Sequence, residues 1–297
     1  MRTARLLFTA LAATILLAAS ALTASAAPLA PSFRNYVALG DSYTSGPFIP
    51  AQRLDPLGCG RSTQNYPSFL AKRLRVASFT DISCAGATTA NLAQSQDVPF
   101  GVNQAQFYAL GVHTDLVTLG IGGNDYGVFG RIISTCPTLR AADPTGNPCQ
   151  QYFTANGVDT LKAAIPGTQA NIVTALRGVH YYAPHAKVLV VGYPRIAPES
   201  GYCPGILPFA DGDYAWLNSI EETLNAAVAN AAALDGATTY VDTYGPSLGH
   251  DACATGGSAW INGQEAGLFI PAAAYHPFRA GMAGMANVVY QQLTFSG

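Results

Sequence analysis

Tyr36-Val37-Ala38-Leu39-Gly40-Asp41-Ser42-Tyr43 opens on a short, largely apolar run and closes on a glycine followed by polar residues. An apolar run of this length suits a strand buried on both faces of a sheet, as in parallel sheets covered by helices. Similar runs recur at 79–83, 116–121, 188–192 and 239–241, while 66–74, 168–182, 214–234 and 278–293 have helical spacing. The alternation is that of βαβ units around a mostly parallel sheet, with connections long enough for right-handed crossovers. No repeat, low-complexity tract or Pro/Ser-rich linker divides residues 27–297, which predicts a single α/β domain. Residues 136–150, with Pro137, Pro144, Gly146 and Pro148, read as a stapled surface insertion.

Of 297 residues, 49% are hydrophobic and only 11% charged, which excludes a disordered charged tail. With 15 Lys+Arg against 17 Asp+Glu, the formal net charge is −2, and no global field exists to hold a polyanion, so nucleic acid is not expected as a partner. The N-terminus is basic at Arg2 and Arg5, apolar over 6–22, and ends in Ala24-Ser25-Ala26, the small-x-small form of a signal-peptidase site. Residues 1–26 are therefore expected to be a signal peptide, and the mature chain to be secreted, extracellular and soluble. Six cysteines, Cys59, Cys84, Cys136, Cys149, Cys203 and Cys253, follow this segment, and an even count in an exported chain reads as three disulfides. Zinc ligation is disfavoured, since no pair has C-x-x-C spacing and no H-E-x-x-H run is present.

In an open α/β sheet ligands gather at the carboxyl ends of the strands. The first run ends in Gly40-Asp41-Ser42-Tyr43, the second leads into Cys84-Ala85-Gly86-Ala87, and the third into Gly122-Gly123-Asn124-Asp125. A serine just beyond a buried strand can present its hydroxyl above the sheet, which makes Ser42 a candidate nucleophile. Gly86 and Gly123 allow backbone N–H groups to approach a bound atom, and Asn124 offers a side-chain amide to an oxyanion. His276, in Ala274-Tyr275-His276-Pro277 before the final helical stretch, is the candidate base. Taken singly, Ser42 reads as a turn residue, Asn124 as an N-cap and Gly86 as a turn glycine. Together they supply nucleophile, oxyanion donors and base. Gly245-Pro246-Ser247-Leu248-Gly249 formally satisfies G-x-S-x-G, but the Gly-rich segment after it does not read as the helix a nucleophile elbow requires. Asp211-Gly212-Asp213 lacks the rest of a calcium loop and reads as a turn, and His250 as a structural or supporting residue.

These motifs resemble those of the SGNH, or GDSL-type, hydrolases. Gly40-Asp41-Ser42-Tyr43 is similar to the family's first motif with Tyr for the usual Leu, Gly86 to its glycine, Gly122-Gly123-Asn124-Asp125 to its G-x-N-D, and His276-Pro277 to its last motif. The cysteines and segments such as Val241-Asp242-Thr243-Tyr244 resemble the secreted actinobacterial lipase and phospholipase branch. The resemblance implies a flavodoxin-like three-layer α/β/α fold with a five-stranded parallel sheet of order 2-1-3-4-5. It also implies a lipid ester hydrolase that works through an acyl-serine, with Ser42 and His276 catalytic and an oxyanion hole of Ser42, Gly86 and Asn124. On that strand order the pairs Cys59–Cys84, Cys136–Cys149 and Cys203–Cys253 are expected. No metal or cofactor is required, and a monomer making at most transient contact with lipid surfaces is expected.

Many members of the family carry Asp three residues before the histidine, where this chain has Ala273. The expectation is a Ser42–His276 dyad oriented by a main-chain oxygen of residues 272–274, with Asp242 and Asp251 as fallback acids. Three apolar segments, Pro47-Phe48-Ile49-Pro50, Ile206-Leu207-Pro208-Phe209 and Leu268-Phe269-Ile270-Pro271, are candidates to receive an acyl chain or, equally, to fold back onto the core. The alternatives to a lipid esterase are a carbohydrate acetylesterase and a catalytically inactive secreted binding module on the same fold.

Overall fold

The computed structural model describes residues 32–265 and 271–295. The expected signal peptide and residues 268–270 of the third apolar segment lie outside the described residues. Five strands, β1 (Asn35–Gly40), β2 (Ser78–Asp81), β3 (Leu116–Gly120), β4 (Lys187–Val191) and β5 (Thr238–Val241), form one sheet in the order β2-β1-β3-β4-β5. Every pairing in it is parallel. The side chains obey the two-residue period of strands. Tyr36 and Ala38, Leu116, and Leu189 and Val191 face one core, while Val37 and Leu39, Val117 and Leu119, and Val188 and Val190 face the other.

Helices α1 (Tyr66–Leu74) and α5 (Arg279–Phe295) cover the first face, where Leu70, Met282, Met285 and Val289 are buried. Helices α3 (Ile165–Tyr182) and α4 (Tyr214–Asp235) cover the second through Ile172, Leu176, Val179 and Val228. Asn65 caps α1 by accepting from Ser68 N at 3.1 Å, and Gly236 ends α4 in the left-handed conformation. The result is the expected three-layer sandwich. Among the described residues, no helix is long and apolar enough to cross a membrane.

Cysteines pair as Cys59–Cys84, Cys136–Cys149 and Cys203–Cys253. The reading of 136–150 as a surface insertion needs correction. Cys136 and Pro137 belong to a further helix, α2 (Val128–Leu139), and both Cys136 and Cys149 are fully buried. Pro137 lies in the last turn of α2, so the bond its missing N–H would have made to the Ile133 carbonyl is lost only at the helix end. Val128 and Ile132 on the apolar side of the helix belong with Leu217 and Leu224 of α4 to a third core beyond the carboxyl ends of the strands. That core borders the candidate site.

Candidate active site

The end of β1 admits only glycine. Gly40 has φ +151°, and a Cβ there would lie 2.3 Å from Thr44 Oγ1 and 2.5 Å from the Gly120 carbonyl oxygen. The Gln106 side chain grips this residue twice, accepting from Gly40 N at 2.7 Å and donating to Gly40 O at 2.9 Å. The chain then turns into a single helical turn, Ser42–Ser45, capped by Asp41, whose Oδ1 accepts from Tyr43 N at 2.9 Å. Ser42 thus stands first in a helical turn, and its backbone N–H has no protein acceptor among the described residues.

His276 reaches Ser42 from the loop before α5, its Nε2 lying 2.8 Å from Ser42 Oγ. Its Nδ1 is 2.7 Å from the Ala274 carbonyl oxygen. With Nδ1–H donating to that carbonyl, Nε2 is left unprotonated and faces the hydroxyl. The loop is tied to the turn that carries Ser42, since Tyr43 O–H donates to Tyr275 O at 2.6 Å. Asn262 adds a second tether, with its Nδ2 donating to Ala273 O at 3.1 Å and its backbone N to His276 O at 2.9 Å. The imidazole packs against the rings of Tyr43 and Phe129, with centroids 5.1 and 5.6 Å away. Burial lowers its pKa to about 4, with the Ala274 carbonyl pulling the other way. Neither fallback acid meets it. Asp242 Oδ1 accepts from Tyr244 N at 2.9 Å, and Asp251 Oδ1 accepts from Cys253 N at 2.9 Å.

Two further donors lie on neighbouring loops. Gly86 has φ +77°, a conformation that favours glycine, and its N–H is also without a protein acceptor among the described residues. The Cys59–Cys84 bridge and a bond from Ala85 N to Cys59 O at 2.9 Å hold its turn. Asn124 Nδ2 donates to Ala87 O at 3.0 Å, which leaves the amide's second hydrogen uncommitted. Asp125 locks the two loops together by accepting from Thr89 N at 2.9 Å, Thr89 Oγ1 at 2.7 Å and Asn171 Nδ2 at 3.1 Å.

A buried relay connects these loops to the turn that carries Ser42. Gly123 N donates to the Tyr193 hydroxyl at 2.8 Å, and that hydroxyl donates to Asp41 Oδ2 at 2.6 Å. Burial raises the Asp41 carboxyl to about 7, against the opposing hydrogen bonds from Tyr193 and Tyr43. Gln106 and Tyr193 escaped sequence reasoning because each acts on a residue far away in the chain, 66 and 152 positions respectively. The only sequence hint was that Asp41 and Asp125 stand inside the motifs without an evident chemical task.

An apolar cleft opens beside Ser42, walled by Val128, Phe129 and Ile132 of α2, by Leu217 and Leu224 of α4, and by Phe209. Among the described residues of the candidate apolar segments, Phe209 alone contributes to this wall. Ile49 is buried against the α1 and α5 core and Phe48 points outward. A short loop with one buried anchor serves the core better than the cleft. Ser247 is a structural residue, since its Oγ accepts from Arg195 N at 2.8 Å and donates to Tyr244 O at 2.8 Å. Asp213 receives Cys149 N at 3.0 Å and Gln150 N at 2.9 Å. His250 Nδ1 lies 2.7 Å from Ser258 O, and its ring stacks on Trp260.

Comparison with known proteins adds an independent line. Residues 38–283 match the model of the GDSL-like Lipase/Acylhydrolase family. The chain is 42% identical over 247 residues to Lipase 2 of Streptomyces coelicolor, covering 80% of each protein. It is 33% identical over 276 residues to an esterase of Streptomyces scabiei, covering 82% of this chain and 79% of the other. The crystal structure of phospholipase A1 from Streptomyces albidoflavus superposes with a TM-score of 0.70 at 30% identity, covering 87% of this chain and 98% of that one. A strand order of β2-β1-β3-β4-β5, the motifs at its carboxyl edge and a family match over most of the chain agree: this protein belongs to the GDSL-like lipase/acylhydrolase family, the SGNH hydrolases.

Proposed function

We propose that this protein hydrolyses carboxylic esters of lipids through an acyl-serine intermediate on Ser42. The observation that carries the reading is the 2.8 Å contact between Ser42 Oγ and His276 Nε2 at the mouth of an apolar cleft. Ser42 Oγ attacks the ester carbonyl carbon as its proton passes to Nε2, and the carbonyl π pair moves onto oxygen. The N–H groups of Ser42 and Gly86 and the free amide hydrogen of Asn124 receive that oxyanion. Collapse of the tetrahedral intermediate expels the alcohol, which takes the proton from His276. Water then attacks the acyl-serine with His276 again as base, releasing the fatty acid. The Ala274 carbonyl does part of the work of a triad carboxylate. It fixes the tautomer, but without a full charge it stabilises the imidazolium less.

The substrate class follows from the cleft and from the relatives' names. Its walls accept an alkyl chain and offer few partners for a sugar. The basic, apolar and small-residue pattern of 1–26, together with three disulfides, supports export to the extracellular medium. A fluorophosphonate probe followed by peptide mapping, with a panel of triglycerides, phospholipids and acetylated sugars, tests the proposal. Label on Ser42 and turnover of the lipids is the expected result. Label elsewhere overturns the nucleophile, and turnover of acetylated sugars alone overturns the substrate class.

A further inference from the structure

One wall residue does not suit an alkyl chain. Glu221 lines the cleft from α4, four residues after Leu217 and three before Leu224, so that all three share one face of the helix. Its Oε2 accepts from Ile196 N at 3.1 Å, whereas its Oε1 is buried and has no partner among the described residues. Arg195 is the nearest cation, yet no ion pair joins the two. The guanidinium instead lies 3.9 Å over the Tyr244 ring. The other ionisable groups that feel Glu221 are Glu222 on the same helix, Tyr244 after β5 and Tyr43 beside Ser42. A buried polar atom left without a partner calls for an explanation, and among the described residues Glu221 Oε1 and the Tyr275 hydroxyl are the two such atoms on residues lining the cleft.

We infer that Glu221 is a specificity-determining residue whose carboxyl O–H donates a hydrogen bond to an oxygen carried on the acyl chain. The cleft then prefers acyl groups bearing a hydroxyl, keto or epoxide oxygen over plain alkyl chains of the same length. This rests on the reading of the cleft as the acyl site. Burial raises the carboxyl to about 8, more than Arg195 lowers it, so near neutral pH the group carries its proton. Since Oε2 already accepts from Ile196 N–H, the proton belongs on Oε1, the atom that lacks a partner. In an apolar wall, a donor of this kind rewards a matching acceptor and penalises a methylene.

The test is a series of p-nitrophenyl esters of one chain length, unsubstituted or with a single keto oxygen, which accepts but cannot donate, walked along the chain, assayed at about pH 6.5 with the full-length mature enzyme. The wild type should favour one positional isomer by about tenfold in kcat/KM. Glu221→Leu should erase that preference and accelerate the unsubstituted ester. Glu221→Gln should keep part of the preference, because its amide N–H donates in place of the O–H. At about pH 9.5 the wild type should lose the preference as the acid ionises, while Glu221→Gln holds it. That pair of profiles decides the matter if Glu221→Leu does not fold. Equal rates on all isomers, or a preference that neither variant nor pH alters, overturns the inference. A chain-length series of unsubstituted esters separates the two readings, since rates indifferent to chain length remove the acyl cleft itself.

Discussion

The reacting end of the site and the cleft beyond it are built from different material. Ser42 and Asn124 follow the central strands β1 and β3, Gly86 follows the edge strand β2, and all three are held by directional bonds, among them the relay from Gly123 through Tyr193 to Asp41 and the clamp of Asp125 on Thr89. The cleft is walled mainly by apolar side chains of helices α2 and α4. Hydrogen bonds fix atoms to a few tenths of an ångström, as transition-state stabilisation demands, whereas apolar packing fixes a shape that tolerates related acyl groups. Substitutions at the two regions should therefore fail differently, in kcat at the first and in substrate preference at the second.

The largest effect is expected from Ser42→Ala, which should leave the circular dichroism spectrum and melting temperature unchanged while reducing ester turnover by up to about a million-fold. Retention of a tenth of the activity would remove Ser42 from the role of nucleophile. Asn124→Ala should lower kcat by about a hundred- to a thousandfold with little change in KM, because its amide serves the oxyanion rather than the bound ester. A change confined to KM would contradict that assignment. At the other region, Ile132→Trp should fill the cleft, cutting kcat/KM for dodecanoyl esters at least about tenfold while acetyl esters stay within about threefold. Equal losses on both would mean that the cleft does not hold the acyl chain.

Titration sharpens the contrast further. His276 must be neutral to accept the Ser42 proton, and its pKa near 4 keeps it so in mild acid, so the acid limb of kcat/KM on a soluble short-chain ester should have its midpoint near pH 4. A midpoint near the ordinary histidine value would show that the ring is not buried in solution. The same lowered value has a stability consequence. As pH falls from about 6.5 to about 4, the unfolded chain takes up a proton that the folded site refuses, so this residue favours unfolding progressively across that window. The smallest effects belong to Asp242→Asn and Asp251→Asn, expected within about threefold of wild-type turnover, since each carboxylate accepts from nearby backbone rather than from His276. A thousandfold fall in either would mean that a carboxylate serves the base after all.

Much of the catalytic edge could be read from the chain because central strands in a parallel sheet are buried on both faces and announce themselves as apolar runs. The residues that follow them must then lie at the carboxyl edge. Helix α2 was legible only at its start, through the N-cap reading of Asn124, since Pro137 and the glycines before it look like loop until Val128 and Ile132 join a buried core. Glu221 gave no signal either. In the sequence it is one acid on a long amphipathic helix, and only packing shows that it lines the cleft while one of its carboxyl oxygens has no partner among the described residues.

The strands, the positions of Ser42, Gly86, Asn124 and His276, and the absence of an acid at position 273 follow from the amino-acid order alone, because local pattern and chain position govern them. What orients His276 could be narrowed to a short segment but not to an atom. The choice of the Ala274 carbonyl depends on the left-handed backbone at Tyr275 and on its carbonyl being held by Tyr43, a residue 232 positions away. The cleft likewise exists only where α2 and α4 meet. Contacts between residues distant in the chain are selected by the free energy of the whole packed core, and no local pattern encodes them.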